Sequence, residues 1–349
     1  MTYQIPVVDL EAALGGSPPD GVLDAVRAAI EQVGIVQVVH HGIDPGLISE
    51  LDEHTGRLLA LPRAEKAKLA SPTGHPYRGW RQWPDDLGRL ELERYMVAQF
   101  DTPAEARAGG IDEEYLGLYA HQNVWPADDP RLRRVTFSYI DAAGRLAERM
   151  LELYATALDV PAGTFGLGSV PHLRLTVNDY PTWSYSDGPD AADGEDEDED
   201  KLLLLEHTDD SAVTVLSQVG DYEGLQVQTP GGWQPVPIIP GALQVLSGKL
   251  LNRWTNGRLQ PGRHRVIAGG TDTRHSTAVF CYPSLDTVVA PLAPFAGPGT
   301  ADDEGVLVWD HVKRRVEDYL EEFGRPDQVA AWQEGRSYVA PLSDTSAGR

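Results

Sequence analysis

Between residues 170 and 284 the chain is cut into short apolar or alternating runs, at 172–180, 202–206, 212–218, 224–229, 243–247, 263–268 and 276–282, broken by glycine and proline. Runs of that length and period are strands. So many short strands at regular spacing predict a barrel or a jelly roll. The flanks read differently. Val22, Leu23, Val26, Ala29, Ile30 and Val33 recur at helical spacing after the start signal Pro18-Pro19-Asp20. Gly34 ends that helix, and Ile35-Val36-Gln37-Val38-Val39 reads as a buried strand. Asp44 then caps a helix with Pro45 at its first position, and Pro130 opens a long amphipathic helix through Leu158. A closing helix is expected over 306–322. The expected organisation is one domain: a mainly helical part over 1–168 with one early strand, a jelly-roll core over 169–290, and a helical part over 291–349.

Composition narrows the partners. With 349 residues, 41% of them hydrophobic, the chain can bury a large core. A formal charge of −24 argues against nucleic acid or an anionic membrane as a partner. Cys281 is the only cysteine, which excludes an intrachain disulfide and fits a reducing compartment. The start carries no signal-peptide pattern, and the longest apolar runs are too short to span a bilayer. The expectation is a cytoplasmic protein with a small-molecule partner, its oligomeric state left open. Residues 187–200 hold nine carboxylates and no base. That density of like charge predicts a solvated insertion, or else a lid over a cationic substrate.

Chemistry concentrates in the strand-rich part. His207-Thr208-Asp209 puts an imidazole and a carboxylate two residues apart, on one face of an extended strand. His264 follows 57 residues later in another strand-like run. Two histidines and one carboxylate leave half of a metal's coordination sphere open, which is the ligand set of non-heme Fe(II) oxygenases. Arg274-His275-Ser276 offers a guanidinium and a hydroxyl suited to a carboxylate.

In order along the chain stand Ile5-Pro6-Val7-Val8-Asp9-Leu10, Gly34 to Ile43, Leu59 to Lys66 and Asn123-Val124-Trp125-Pro126. After them come Asn178-Asp179-Tyr180-Pro181, His207-Thr208-Asp209, Gly224-Leu225-Gln226-Val227, Pro240-Gly241-Ala242-Leu243, Arg253 to Arg258, His264-Arg265-Val266 and Arg274-His275-Ser276. Over nearly its whole length this resembles the isopenicillin N synthase-like branch of the 2-oxoglutarate/Fe(II)-dependent oxygenases. The resemblance implies a distorted double-stranded β-helix core. It implies Fe(II) on His207, Asp209 and His264, the distal carboxylate of 2-oxoglutarate on Arg274 and Ser276, and contacts to that cosubstrate from Asn178 and Tyr180. The implied reaction consumes O2, releases succinate and CO2, and hydroxylates a small natural-product or amino-acid-like molecule through a ferryl-oxo oxidant. Desaturation and ring closure branch from the same species.

Lys249 departs from the pattern, since the family usually has an acid there, and so does the acidic insertion before His207. Substrate contacts are expected from Tyr77, Arg78, Trp80, Arg81 and Trp83, an aromatic and cationic cluster, and from Trp183 and Tyr185. Two other readings stay open at this point. One is an isopenicillin N synthase-like or aminocyclopropane-carboxylate oxidase-like enzyme that does without 2-oxoglutarate. The other is a non-catalytic ligand-binding module.

Overall fold

The computed structural model describes residues 3–16, 18–72, 74–84, 91–180, 202–219, 223–267, 274–297 and 304–323, with the backbone alone at 83–84, 91 and 319–323. The N-terminal part opens with β1 (Val7–Asp9) and the short α1 (Leu10–Ala13), capped by Asp9. Then come α2 (Val22–Gln32) and β2 (Ile35–Val39). Gly34 between them has φ +80°, and a Cβ there would lie 2.8 Å from the Pro261 carbonyl carbon. Only glycine permits both that backbone angle and that close approach. Next is α3 (Pro45–Leu59), where the Asp44 side chain accepts from Gly46 N and Pro45 occupies the first turn, followed by α4 (Arg63–Ala67).

Where the sequence pattern predicts one early strand, the structure has four. β3 (Gly79–Pro84) and β4 (Glu91–Ala98) form a hairpin that joins the main sheet. The alternation Leu92, Arg94, Met96 against Tyr95, Val97 carries that signal, but the charged residues within it mask it. After α5 (Pro103–Ala108) and a 3₁₀ segment, Glu113–Tyr119, the 28-residue α6 (Pro130–Ala157) begins at Asp129, whose side chain accepts from Leu132 N.

The remaining strands are β5 (Pro171–Tyr180), β6 (Leu202–His207), β7 (Val213–Val219), β8 (Leu225–Thr229), β9 (Gly232–Pro235) and β10 (Leu243–Ser247). Helix α7 (Lys249–Trp254) leads to β11 (His264–Ile267) and β12 (Arg274–Ser284). A small pair, β13 (Val288–Val289) with β14 (Val306–Leu307), precedes α8 (Val308–Phe323). The major sheet runs β1-β2-β10-β7-β12-β5-β4-β3, and the minor sheet β6-β11-β8-β9.

Alternation on the major sheet assigns its two faces. Leu175 and Val177 of β5, Val213 and Val215 of β7, and Val279 and Cys281 of β12 join Leu146, Met150 and Tyr154 of α6 in one buried cluster. The opposite parity, with Tyr180, Leu216 and Ala278, packs in a second cluster against Leu203, Leu225, Val227 and Val266 of the minor sheet. Each large aliphatic side chain buried this way contributes about 1.5–3 kcal/mol. The sheet is therefore pinned from both sides, and the even-numbered residues of β5, β7 and β12 face the space between the sheets. No helix among the described residues is long and apolar enough to cross a membrane.

Candidate active site

A cavity of about 920 Å³ opens between the two sheets, and the even-numbered strand residues line it. Register sets them in rows. Arg94, Asn178, Ser276 and Gln218 pair in sequence across β4, β5, β12 and β7. The next row is Met96, Thr176, Ala278 and Leu216, and beyond it Arg174, Phe280 and Thr214. One wall thus carries a polar row, an apolar row and a mixed row. Strands with period two deliver such rows once their register is fixed.

On the facing minor sheet, His264 of β11 pairs with His207 at the end of β6. Their ring centroids are 4.2 Å apart, and Asp209 Oδ1 lies 4.0 Å from His207 Nε2. One ligand atom from each of His207, Asp209 and His264 falls within 4.8 Å of the others. Both rings are oriented by their own backbone. His207 Nδ1 is 2.8 Å from Leu205 O and His264 Nδ1 is 2.9 Å from Gly262 O. A carbonyl accepts only from N–H, so both Nδ1 atoms carry the proton and both Nε2 atoms keep a free lone pair. Desolvation in the cleft, with His264 alongside, holds His207 down to about 4, in the neutral form that binds metals. Two free imidazole nitrogens and one carboxylate oxygen converging on a point is a donor set that fits a divalent metal with an open face.

Asp209 sits on a turn stapled to the start of α7. Lys249 N donates to Asp209 O at 2.9 Å, Gly248 N to Ala212 O at 2.8 Å and Leu250 N to Ser211 O at 3.2 Å. The Lys249 ammonium donates to Asp210 Oδ1 at 2.7 Å. Asp210 also pairs with Arg315 of α8, and its carbonyl accepts from His311 Nε2 at 2.9 Å. Helix α8 is thereby fastened across the cavity mouth.

At the other end lies Arg274, 1% exposed. Its Nη2 donates to Gln218 Oε1 at 2.6 Å, and its guanidinium carbon stands 4.8 Å from the Tyr180 ring centroid. Among the described residues its Nε and Nη1 have no acceptor. A buried cation with two unanswered donors is costly unless an anion completes it. Ser276, 2% exposed, lies on the same face two residues on, and Asn178 Nδ2 donates to its hydroxyl at 3.3 Å. This slot fits a carboxylate.

The expected substrate cluster divides. Tyr77 and Arg78 line the cavity. Arg78, though, is 2% exposed and donates to the carbonyls of His121, Tyr77 and Leu118, so it braces the wall. Trp80 turns away into the core and donates from Nε1 to Glu93 at 3.1 Å, because its parity on β3 is that of Tyr95. Arg81 reaches toward Gly74 O, at 3.5 Å, and does not line the cavity. Trp183, Tyr185, the acidic stretch 187–200 and the side chain of Trp83 lie outside the described residues. Pattern reading misses Arg94, Arg174, Phe280 and Arg315, which cross-strand pairing and α8 bring to the cavity, and Gln218, which holds Arg274. His75 and His172 line the cavity as well.

Comparison with known proteins agrees with this geometry. The profile described as 2OG-Fe(II) oxygenase superfamily matches residues 174–283, and that described as non-haem dioxygenase in morphine synthesis N-terminal matches residues 5–128. Gibberellin 2-beta-dioxygenase 4 of Arabidopsis thaliana is 31% identical over 300 residues, 83% of each chain. The 2-oxoglutarate-dependent dioxygenase citB of Monascus ruber is 28% identical over 327 residues, 90% of this chain and 95% of its own. In fold, a full-length Neurospora crassa protein solved in complex with alpha-KG matches with a TM-score of 0.71 at 21% identity, covering 89% of this chain and 95% of that one. The two packed sheets with flanking helices are accordingly the double-stranded β-helix expected from the sequence. By sequence across most of its length, the chain belongs to the 2OG-Fe(II) oxygenase superfamily and is an Fe(II)/2-oxoglutarate-dependent dioxygenase that uses O2 as co-substrate.

Proposed function

We propose that His207, Asp209 and His264 hold the Fe(II), that Arg274 and Ser276 receive the distal carboxylate of 2-oxoglutarate, and that Asn178 and Tyr180 form its bed. The observation that carries this reading is Arg274, a buried guanidinium whose Nε and Nη1 find no acceptor among the described residues, lining the same cavity as the three converging metal-ligand atoms. Iron with bound 2-oxoglutarate supplies O2 activation and the oxidative decarboxylation to succinate and CO2. The chain's own residues do the rest. Two neutral imidazoles and one carboxylate leave the metal a net positive charge that attracts a keto acid. Arg274 answers the far carboxylate with a planar fork, and the Tyr180 ring beneath the guanidinium keeps that fork in one plane. Leu204, Leu216, Val266 and Ala278 line the middle of the cavity and keep it dry.

The reaction we propose is hydroxylation, desaturation or ring closure of a small natural-product or amino-acid-like molecule. The volume of about 920 Å³ lies within the range of small-molecule sites, and relatives named for gibberellin or flavonoid chemistry act on compounds of that scale. Tyr77, at the mouth with its hydroxyl 3.4 Å from Arg315 O, is the expected substrate contact that the geometry best supports. We read the chain as a single cytoplasmic domain, with 1–168 and 291–349 flanking the core at 169–290. The continuous sheet from β1 to β12 and the lone, buried Cys281 support that reading.

Anaerobic titration of the Fe(II)-loaded protein with 2-oxoglutarate tests the assignment. The weak visible charge-transfer band of the chelate should appear, and His264→Ala or Arg274→Ala should remove or weaken it. Iron binding without a band in the unaltered protein would sink the proposed cosubstrate site.

A further inference from the structure

The cavity carries a second cationic end that the cosubstrate does not use. Arg174 lies on β5 four residues before Asn178, about 13 Å along an extended strand, and lines the same cavity. Its guanidinium carbon is 4.0 Å from the Tyr77 ring centroid and 4.6 Å from that of Phe280. Stacking occupies the faces of the cation and leaves its N–H edge directed outward. Among the described residues no carboxylate or carbonyl accepts from that edge. The acids on the cavity wall are engaged elsewhere: Glu206 pairs with Arg263, Asp210 with Lys249 and Arg315, Asp318 with Arg315, and Asp209 belongs to the proposed metal set.

The two histidines at this end carry no charge of their own. His172 is pushed down to about 3 by burial and by Arg78 and Arg174, and His75 falls well below its ordinary range for the same reasons. Both are neutral, and both leave a positive field at this end. In a chain of net charge −24, a local field of that sign is not a consequence of composition. Nor can 2-oxoglutarate bridge to it. Phe280, beside Arg174, stands six residues along β12 from Arg274, roughly 20 Å in an extended strand, which a five-carbon diacid does not span.

We infer that the substrate bears a carboxylate, which Arg174 holds edge-on between Tyr77 and Phe280. The apolar body of that molecule then lies over Thr176, Ala278 and Leu216 toward the metal set. A planar carboxylate takes two parallel hydrogen bonds from a guanidinium edge, and the two rings fix the plane in which they form. The cavity so becomes a two-anion site, with the cosubstrate acid on Arg274 and the substrate acid on Arg174. The inference rests on the proposed role of Arg274, since an unassigned Arg274 would leave two candidate slots for one acid.

The test is a binding panel of aryl- and alicyclic carboxylic acids, each paired with its primary amide, read by calorimetry on the Fe(II)-loaded, anaerobic protein saturated with 2-oxoglutarate. Acids should bind at least tenfold tighter than their amides. Arg174→Gln should erase that preference and Arg174→Lys keep part of it, while the 2-oxoglutarate charge-transfer band persists in both. Amides binding as well as acids, no acid binding at all, or an acid preference that survives Arg174→Gln would each overturn the inference. Because the acid–amide comparison is made first on the unaltered protein, a variant that fails to fold leaves the test intact. A missing charge-transfer band in the unaltered protein is a separate failure, that of the cosubstrate assignment.

Discussion

Gly248 is where the fold holds the metal set in place, and Gly248→Ala should damage both. Gly248 follows β10, with φ −102° and ψ 178°, angles open to any residue, so backbone freedom is not what the position demands. Space is. A Cβ there would stand 2.6 Å from the Ser211 carbonyl carbon and nearer still to its oxygen, where 3.0 Å is the practical floor. Relief requires the Asp209–Ala212 turn or the start of α7 to move on the order of 1 Å. Three backbone hydrogen bonds cross that seam, to Asp209 O, Ser211 O and Ala212 O. Losing them at about 1 kcal/mol each, with overpacking of about 1–3 kcal/mol, gives an expected loss of roughly 4–6 kcal/mol. Asp209 moves with the turn, and metal sites tolerate displacements of only about 0.5 Å, so Fe(II) affinity should fall at least tenfold. Urea unfolding and anaerobic iron titration measure the two effects. Gly56→Ala on α3 is the control. Nothing lies within 4 Å of a Cβ at that helical position, and a gain of about 0.5–1 kcal/mol is expected. If Gly248→Ala unfolds within 0.5 kcal/mol of the parent and binds iron equally well, the steric argument is wrong.

Three further outcomes are expected. Gln218→Leu removes the acceptor that orients Arg274 and should raise the dissociation constant of 2-oxoglutarate roughly tenfold in the anaerobic band titration; an unchanged constant would show that Tyr180 alone sets the guanidinium. Burial pushes Asp52 up to about 6, so the folded state favours its protonated form and stability drains away as pH rises from about 4 through 6. Asp52→Asn should therefore be more stable than the parent by about 1–2 kcal/mol at pH 8, after allowance for partial exposure, and nearly equal to it at pH 4. A larger gain at pH 4 than at pH 8 would reverse the sign of the argument. Fe(II) at a hundredfold its dissociation constant should stabilise the protein by about 2.7 kcal/mol in anaerobic thermal unfolding. EDTA should abolish that gain, and His264→Ala should never show it.

The parts of the site legible in the sequence are those written as short local spacings. Arg274-x-Ser276 is an i, i+2 pair on β12, where period two puts both on one face. His207-x-Asp209 is equally local, but Asp209 lies past the end of β6, so the turn and not the strand period brings its carboxylate beside the imidazole. The helix starts at Pro45 and Pro130 are legible for a similar reason, since an aspartate cap followed by proline acts within one turn. Gln218, Arg174 and Arg94 are not. Arg174 and Arg94 reach the cavity, and Gln218 reaches Arg274, through pairing with strands dozens of residues away, and register between strands is not encoded in the spacing of either one. Trp80 misleads for the complementary reason. An aromatic beside arginines reads as a ligand contact, yet its parity on β3 turns it into the core, where Glu93 answers its N–H.

Parity also accounts for how one cavity can keep its chemistry while its substrate changes. The proposed metal ligands come from β6, β11 and a turn stapled by backbone hydrogen bonds, and the proposed cosubstrate slot comes from β12, braced by Gln218 and Tyr180. Arg274, Ser276 and His264 sit on interior strands of their sheets, His207 ends the edge strand β6 where it pairs with His264, and Asp209 is held by the hydrogen bond between its turn and α7. The Arg174 end is bounded differently. Tyr77 comes from the segment before β3, and Arg315 from α8, which the ion pair with Asp210 holds in place. Side chains there can be exchanged without shifting the register of β5, β7 or β12. Substrate recognition then varies at the rim of the barrel, and the proposed cosubstrate slot stays fixed by β12, whose opposite face is committed to α6.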